Sequence, residues 1–358
     1  MTATTEKDAV IGSLLGTAVG DALGLCSEGM SKRRQRKMFK DMEGYHFILG
    51  RGMISDDTEH TCMVAQALIV SGGDTKRFTR SLAWRLRFWM LGLPAGIGFA
   101  TLRAVVKLWA GFSGHRSGVF SAGNGPAMRS AIIGVSYGND FKKMRELIRA
   151  STRITHTDPK AEYGSLAVAL AAHMAVSTGV EEVAPGEYLG ALESLLHGEQ
   201  ADEFLELMGK TIKSVAANKS TESFADELGL GKGVTGYIFH TVPVVIHCWL
   251  RNQDDFSSAI LEVIRCGGDT DTTAAILGGI AGAGVGKNGI PQKWLSGLWE
   301  WPRSLGWMEE LGDRLAGSAA QGEGQPALSL FVPGIVARNI FFMVVVLAHG
   351  FRRLFPPY

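Results

Sequence analysis

The sequence predicts an all-α protein, and three observations carry that reading. Ala, Leu, Met, Gly and charged residues dominate, while clean period-2 alternation is scarce. Apolar residues recur at helical spacing in one segment after another. In the first of these, Gly12, Gly16, Gly20 and Gly24 fall at every fourth position, which on a helix lines one face and lets another backbone come close.

That first segment, residues 10–25, contains Asp21 and is too short and too polar to span a bilayer. Further helices are expected over 58–71, 126–135, 161–177, 202–217, 235–250, 256–265 and 273–283. Residues 1–310 read as one domain, 311–330 as a linker rich in Gly, Gln, Ser and Pro around SAAQGEGQPA, and 331–358 as an apolar tail. The uninterrupted apolar run of the tail, Ile340 to Ala348, is half of the ~20 residues a span needs. Packing on the chain's own bundle or on a second copy is therefore expected ahead of membrane contact.

Composition narrows the function. Hydrophobic residues make up 46%, enough for a sizeable core. Lys and Arg number 36 against 35 Asp and Glu, so the basic excess of a nucleic-acid binder is missing and no nucleic-acid partner is expected. Cys26, Cys62, Cys248 and Cys266 form no C-x-x-C pair and sit in apolar or Gly-rich runs, which points to a reducing compartment rather than a zinc cage or disulfides. MTATTEKDAV lacks the charged start and apolar stretch of a secretory signal, so a cytoplasmic location is expected.

Two carboxylate clusters carry the chemistry. In Ser55-Asp56-Asp57-Thr58 one residue would suffice to cap the helix that follows; two adjacent carboxylates repel unless a cation or a proton intervenes. In Cys266-Gly267-Gly268-Asp269-Thr270-Asp271-Thr272-Thr273 the glycines let the backbone turn sharply, so Asp269 and Asp271 can converge where on a helix they would diverge by about 200°. The spacing excludes an EF-hand, since Ala274 and Ile280 stand where Gly and Glu are required. Carboxylate and hydroxyl oxygens suit hard divalent ions, Mg²⁺ or Mn²⁺ rather than zinc, and the four carboxylates are enough for two ions to share.

Five markers in order, GSLLGTAVGDALGL with Glu28, ISDDT (54–58), GNGPAMR (123–129), THTDP (155–159) and GGDTDTTAA (267–275), make the chain resemble the ADP-ribosylglycohydrolase family, in its dinitrogenase-reductase-activating and ADP-ribosyl-acceptor hydrolase types, from about residue 8 to about 300. The resemblance implies an orthogonal helical bundle around a two-metal cleft. It implies Ser55, Asp56, Asp57, Asp269, Asp271 and Thr272 as ligands, and Glu28 or a paired aspartate such as Asp57 as the catalytic carboxylate. Gly123, Asn124 and Gly125 would offer exposed N–H groups to a diphosphate, and His156 would lie near the ADP-ribose. The implied substrate is an ADP-ribosylated protein or ADP-ribose derivative, with arginine the first choice of acceptor and serine next. Some relatives specific for arginine carry an acidic residue in the segment matching 93–104, where this chain has Ala95-Gly96. A toxin-neutralising or binding protein of the same fold and a two-metal nucleotide phosphoesterase are the alternatives. Only about ten residues precede the first helix, so an occluding N-terminal arm is not expected.

Overall fold

The structure, a computed structural model, describes residues 5–39, 41–177 and 182–356. Among them lie seventeen α-helices: α1 (Glu6–Gly24), α2 (Lys32–Met38), α3 (Asp56–Ser71), α4 (Thr75–Leu91), α5 (Phe99–Trp109), α6 (Ala131–Tyr137), α7 (Phe141–Arg153), α8 (Pro159–Ser177), α9 (Pro185–Leu195), α10 (Asp202–Ala216), α11 (Thr221–Glu227), α12 (Ile238–Arg251), α13 (Phe256–Arg265), α14 (Thr270–Gly289), α15 (Gln292–Gly297), α16 (Leu305–Gln321) and α17 (Val332–Arg352). The described residues contain isolated β-bridges but no sheet, in keeping with the all-α expectation.

The glycine stripe sets the frame. α1 and α14 run antiparallel in backbone contact, with Gly12 against Gly282, Gly16 against Gly278, Gly20 against Ala274 and Gly24 against Thr270. A Cβ at Gly16 would stand 2.1 Å from the carbonyl oxygen of Gly278, so no larger residue fits without parting the helices. This contact carries the end of α1 to the start of α14. α3 starts at the same end because Asp21 of α1 accepts N–H bonds from Ser55 (2.9 Å) and Thr58 (3.2 Å) at its first turn, together with the Thr58 hydroxyl at 2.5 Å. A carboxylate facing free N–H groups at a helix start satisfies both partners.

The domain boundaries differ from the sequence reading. Residues from 311 to Gln321 belong to α16, whose Met308, Leu311, Gly312, Leu315 and Ser318 are buried at helical spacing; the Gly and Gln that suggested a linker only end the helix. The extended stretch that follows is held by bonds from Gln325 N–H to Ile69 O (2.8 Å) and from Leu328 N–H to Gln66 Oε1 (2.9 Å).

The tail folds as α17, with Gly334, Arg338, Asn339, Phe342 and Val345 against the rest of the chain. Three of its polar residues, Arg338, Asn339 and His349, point inward. Arg338 grips Glu300 at 2.8 and 2.7 Å and reaches the carbonyl of Ile54, next to the first carboxylate cluster. Asn339 donates to Gly92 O at 2.7 Å, and His349 bonds Phe47 O at 2.6 Å. Phe342 and Val345 join Leu25, Cys26, Phe47 and Met53 in a small second core. Packing on the chain's own bundle thus covers one side of α17.

Candidate functional site

One cleft of about 320 Å³ brings together Glu28, Asp56 and Asp57, Gly123 to Gly125, His156, and Asp269, Asp271 and Thr272, with the 96–101 segment and Gly236 completing its lining. Ser55 is buried just behind, its hydroxyl 3.1 Å from Asp57 Oδ2. The two clusters, more than 200 residues apart in sequence, meet directly where Thr272 donates to Asp57 Oδ2 at 3.2 Å.

The turn before α14 explains how. Gly267 and Gly268 have φ of +67° and +82°, which lets the chain reverse before Asp269. Gly268 is clamped between Met30 and Val234: its N–H donates to Met30 O at 2.8 Å, and the Asp269 N–H to Val234 O at 2.8 Å. The same clamp fixes the Glu28 loop, since Gly29 N–H donates to Gly268 O at 2.7 Å.

The electrostatics are those of crowded acids. Burial, then the charges of Asp56, Asp21 and Asp269, pushes the Asp57 carboxyl well above the usual range. Burial, then Glu28, Asp269, Asp57 and Asp21, does the same to Asp271. Asp56 is raised by burial, then by Asp21, Glu59 and Glu28. Glu28 is exposed at the mouth, yet desolvation by the cleft walls and the charge of Asp269 raise it, opposed by Arg353. Asp57 Oδ1 and Asp271 Oδ1 are buried with no hydrogen-bond partner. A buried, partnerless carboxylate oxygen is costly, and a cluster of them fits a bound cation. Among the described residues no three carboxylate, imidazole or thiol groups close on one point as a complete cage; the donor set is mixed, with the Ser55 and Thr272 hydroxyls beside the acids. Oxygen-only donors of this kind suit Mg²⁺ or Mn²⁺.

The GNG segment departs from expectation in part. Asn124 N–H donates to Gly236 O at 2.9 Å and Gly123 N–H to Ser121 Oγ at 3.3 Å, so two of the three amides expected to face a diphosphate are engaged. The Asn124 side chain instead holds Asp269 Oδ2 at 2.6 Å, anchored on Thr241 at 3.0 Å. Gly123 and Gly125 lie flat on the His156 ring, where a Cβ would stand 3.1 Å from Nε2 and 3.3 Å from Cε1 respectively. Burial, then Arg129 and Arg103, lowers His156 to about 3, so the ring is neutral near pH 7. Gly96, with φ +79°, lines the rim, and a Cβ there would lie 3.8 Å from Asp56 Oδ1.

Three supporting groups lay outside the sequence reading. Asp21, pushed up to about 6 by burial, anchors the first cluster. Arg129 is fully buried and ties the GNG segment to its surroundings through Ser151 O (3.0 Å), Thr155 Oγ1 (2.8 Å) and His60 Nδ1 (2.9 Å). Arg353 of the tail donates to the carbonyls of Glu28 (2.7 Å) and Cys26 (2.9 Å). A carboxylate inside a Gly-Ala helix and the Arg that ends GNGPAMR are signals visible in sequence; the Arg353 contact is not.

The ADP-ribosylglycohydrolase family model matches residues 2–324. The chain is 30% identical over 309 residues to an uncharacterized protein of Archaeoglobus fulgidus, a match spanning 84% of this chain and 94% of that one. It is 27% identical to the ADP-ribosyl-[dinitrogen reductase] glycohydrolase of Rhodospirillum rubrum, over 83% and 92% of the two chains. It is 28% identical to the ADP-ribosylarginine hydrolase Tri1 of Serratia proteamaculans, over 85% and 79%. A solved structure described as an ADP-ribosylglycohydrolase-related protein complex superposes with a TM-score of 0.65 at 26% identity, covering 88% of this chain and 99% of that one.

Proposed function

Since the chain belongs to the ADP-ribosylglycohydrolase family, a family of hydrolases of ADP-ribose linkages, we propose that it cuts the bond at C1″ of an ADP-ribose attached to a protein side chain, in a reaction that depends on divalent cations. The observation that carries the reading is the meeting of the two carboxylate clusters in one cleft, where Asp57 Oδ1 and Asp271 Oδ1 are buried without a partner.

Ser55, Asp56, Asp57, Asp269, Asp271 and Thr272 would hold two ions, Mg²⁺ or Mn²⁺. When bound, such ions supply Lewis-acid polarisation of the ribose and lower the pKa of water. Asn124 orients Asp269 for that task, and Asp21 holds the first turn of α3 in place. Glu28, at the mouth with a raised pKa, is suited to take a proton from the attacking water at its carboxylate and return it to the leaving group. With the amides of Gly123 and Asn124 engaged, Gly125 N–H, beside His156 in the cleft, is the one of the three that would meet the diphosphate. Arginine is the preferred acceptor, as for the similar ADP-ribosylarginine hydrolase of Serratia proteamaculans, and serine or a free ADP-ribose derivative follows. Gly96 at the rim beside Asp56 stands in the segment where some arginine-specific relatives carry an acidic residue, so a guanidinium here would be met by the cleft acids themselves.

Incubation with arginine- and serine-ADP-ribosylated peptides, read by mass spectrometry, tests this. Release of ADP-ribose with the unmodified peptide is expected. Release of AMP would make the protein a phosphoesterase, and an unchanged peptide with tight ADP-ribose binding would make it a binding protein.

A further inference from the structure

The outer face of α17 is apolar from end to end. Ala337, Ile340, Phe341, Val344, Leu347, Ala348 and Phe351 are exposed at three- and four-residue spacing, and Leu354 and Phe355 continue the stripe. Ile340, Val344, Leu347 and Phe351 are 54 to 65% exposed. Wrapped at 100° per residue the stripe covers about 140°, along a helix about 31 Å long. At its N-terminal end it runs into an apolar groove of about 650 Å³ lined by Trp84, Phe88, Leu91, Val332 and Ile335. Trp299 and Trp301, half-exposed, sit against Phe341 and Phe331 with ring centroids 5.8 and 5.7 Å apart.

Cations border this surface. No Asp or Glu follows Glu323. Arg352 is exposed at the C-terminal end, and the basic helix α2, with Arg33 and Lys37 exposed and Arg36 paired to Glu222, meets that end where Arg34 bonds the carbonyl of Arg353. We propose that the outer face of α17, with the adjoining groove and the basic α2, docks in the plane of an anionic lipid bilayer. Apolar side chains beside cations, with aromatic rings at the margin, match the layering of a lipid headgroup region.

Two alternatives fit less well. A membrane span would strip Arg338 from Glu300, Asn339 from Gly92 and His349 from Phe47, bonds that bind the inner face to the protein. A second copy meeting helix to helix would want a narrower seam flanked by charges, whereas Phe341, Ala348 and Phe355 beside the seam are apolar. Because Arg353 holds the Glu28 carbonyl, docking would also set the mouth of the cleft close to the bilayer.

The test is flotation of the full-length protein with vesicles of phosphatidylcholine alone or mixed with phosphatidylglycerol, alongside sedimentation velocity. Wild type should float with the anionic vesicles, about tenfold or more tightly than with neutral ones, and less so as salt rises. Ile340→Glu/Leu347→Glu should abolish flotation with an unchanged melting curve. Arg33→Glu/Arg352→Glu, which alters only exposed positions, should weaken binding to anionic vesicles alone. Flotation that survives both pairs of substitutions, or a wild-type protein that floats with neither vesicle, overturns the proposal. So does a dimer that Ile340→Glu/Leu347→Glu dissociates, which would assign the face to a second copy.

Discussion

The cleft and the C-terminal helix break the ordinary rule of burial in opposite directions. In the cleft, Asp57 and Asp271 are buried among other acids, with an oxygen of each lacking a partner. On α17, Ile340, Val344, Leu347 and Phe351 stand in water while Arg338 and Asn339 are buried. Folding alone favours neither arrangement, since buried charge and exposed contiguous apolar surface both cost free energy. Each is therefore read best by asking what it faces: a cation in one case, an apolar phase in the other. The supporting groups differ in kind as well. Arg338 and Glu300 meet in a two-point ion pair, as structural pairs do, whereas among the described residues the cleft acids feel only the charges of Arg129 near Asp56 and Arg353 near Glu28, with no such pair.

The contrast predicts that charge removal should have opposite consequences in the two regions. Asp271→Ala should reduce turnover by roughly 10³-fold or more while leaving the melting temperature unchanged or higher, because a repelled buried carboxylate is removed. Calorimetric melting beside an ADP-ribose release assay checks both halves. A large fall in melting temperature would place Asp271 among the structural groups. Glu300→Ala should do the reverse to stability, costing about 3–5 kcal/mol in denaturant unfolding, since Arg338 would be left buried without its carboxylate. A cost under about 1 kcal/mol would mean that Arg338 finds water, and that α17 is held less firmly than its bonds suggest.

Smaller effects sharpen the division within each region. Gly125→Val would press a branched side chain against His156, and should weaken ADP-ribose binding by about tenfold, roughly 1.4 kcal/mol, while sparing cation binding. Equal affinities by calorimetry would return the GNG segment to a plain turn. Leu347→Glu, on the outer face of α17, should change unfolding free energy by no more than about 0.5 kcal/mol, a value that a face packed in the monomer could not give.

How much of this was legible depended on whether the chemistry was local. Adjacent carboxylates with hydroxyls at a helix start, and a Gly-Gly turn before Asp269, announce themselves within eight residues, and the glycine spacing of α1 announced a close helix contact. The linker expected from 311 was misread because Gly and Gln near residue 322 weighed more than the buried Leu311 and Leu315 beside them. In sequence Asp21 reads only as a polar residue that keeps the first segment out of a bilayer, because its partners, Ser55 and Thr58, lie more than thirty residues away. The Arg338–Glu300 pair and the Arg353 hold on Glu28 were illegible for the same reason: a charged residue reads as solvent-facing until its partner is placed. The engaged amides of Gly123 and Asn124 depended on Ser121 Oγ and Gly236 O, acceptors that a motif does not specify as such.

The central claim is that both carboxylate clusters form one cation site on which hydrolysis depends. The most direct measurement is ADP-ribose release from a modified peptide by chelator-treated protein, titrated with Mg²⁺ or Mn²⁺ while bound metal is counted. The account predicts no release without metal, recovery as about two ions bind per chain, and loss of both binding and recovery in Asp57→Ala and in Asp271→Ala alike. Full release by the chelator-treated wild type, or metal binding that survives loss of either cluster unchanged, would contradict it.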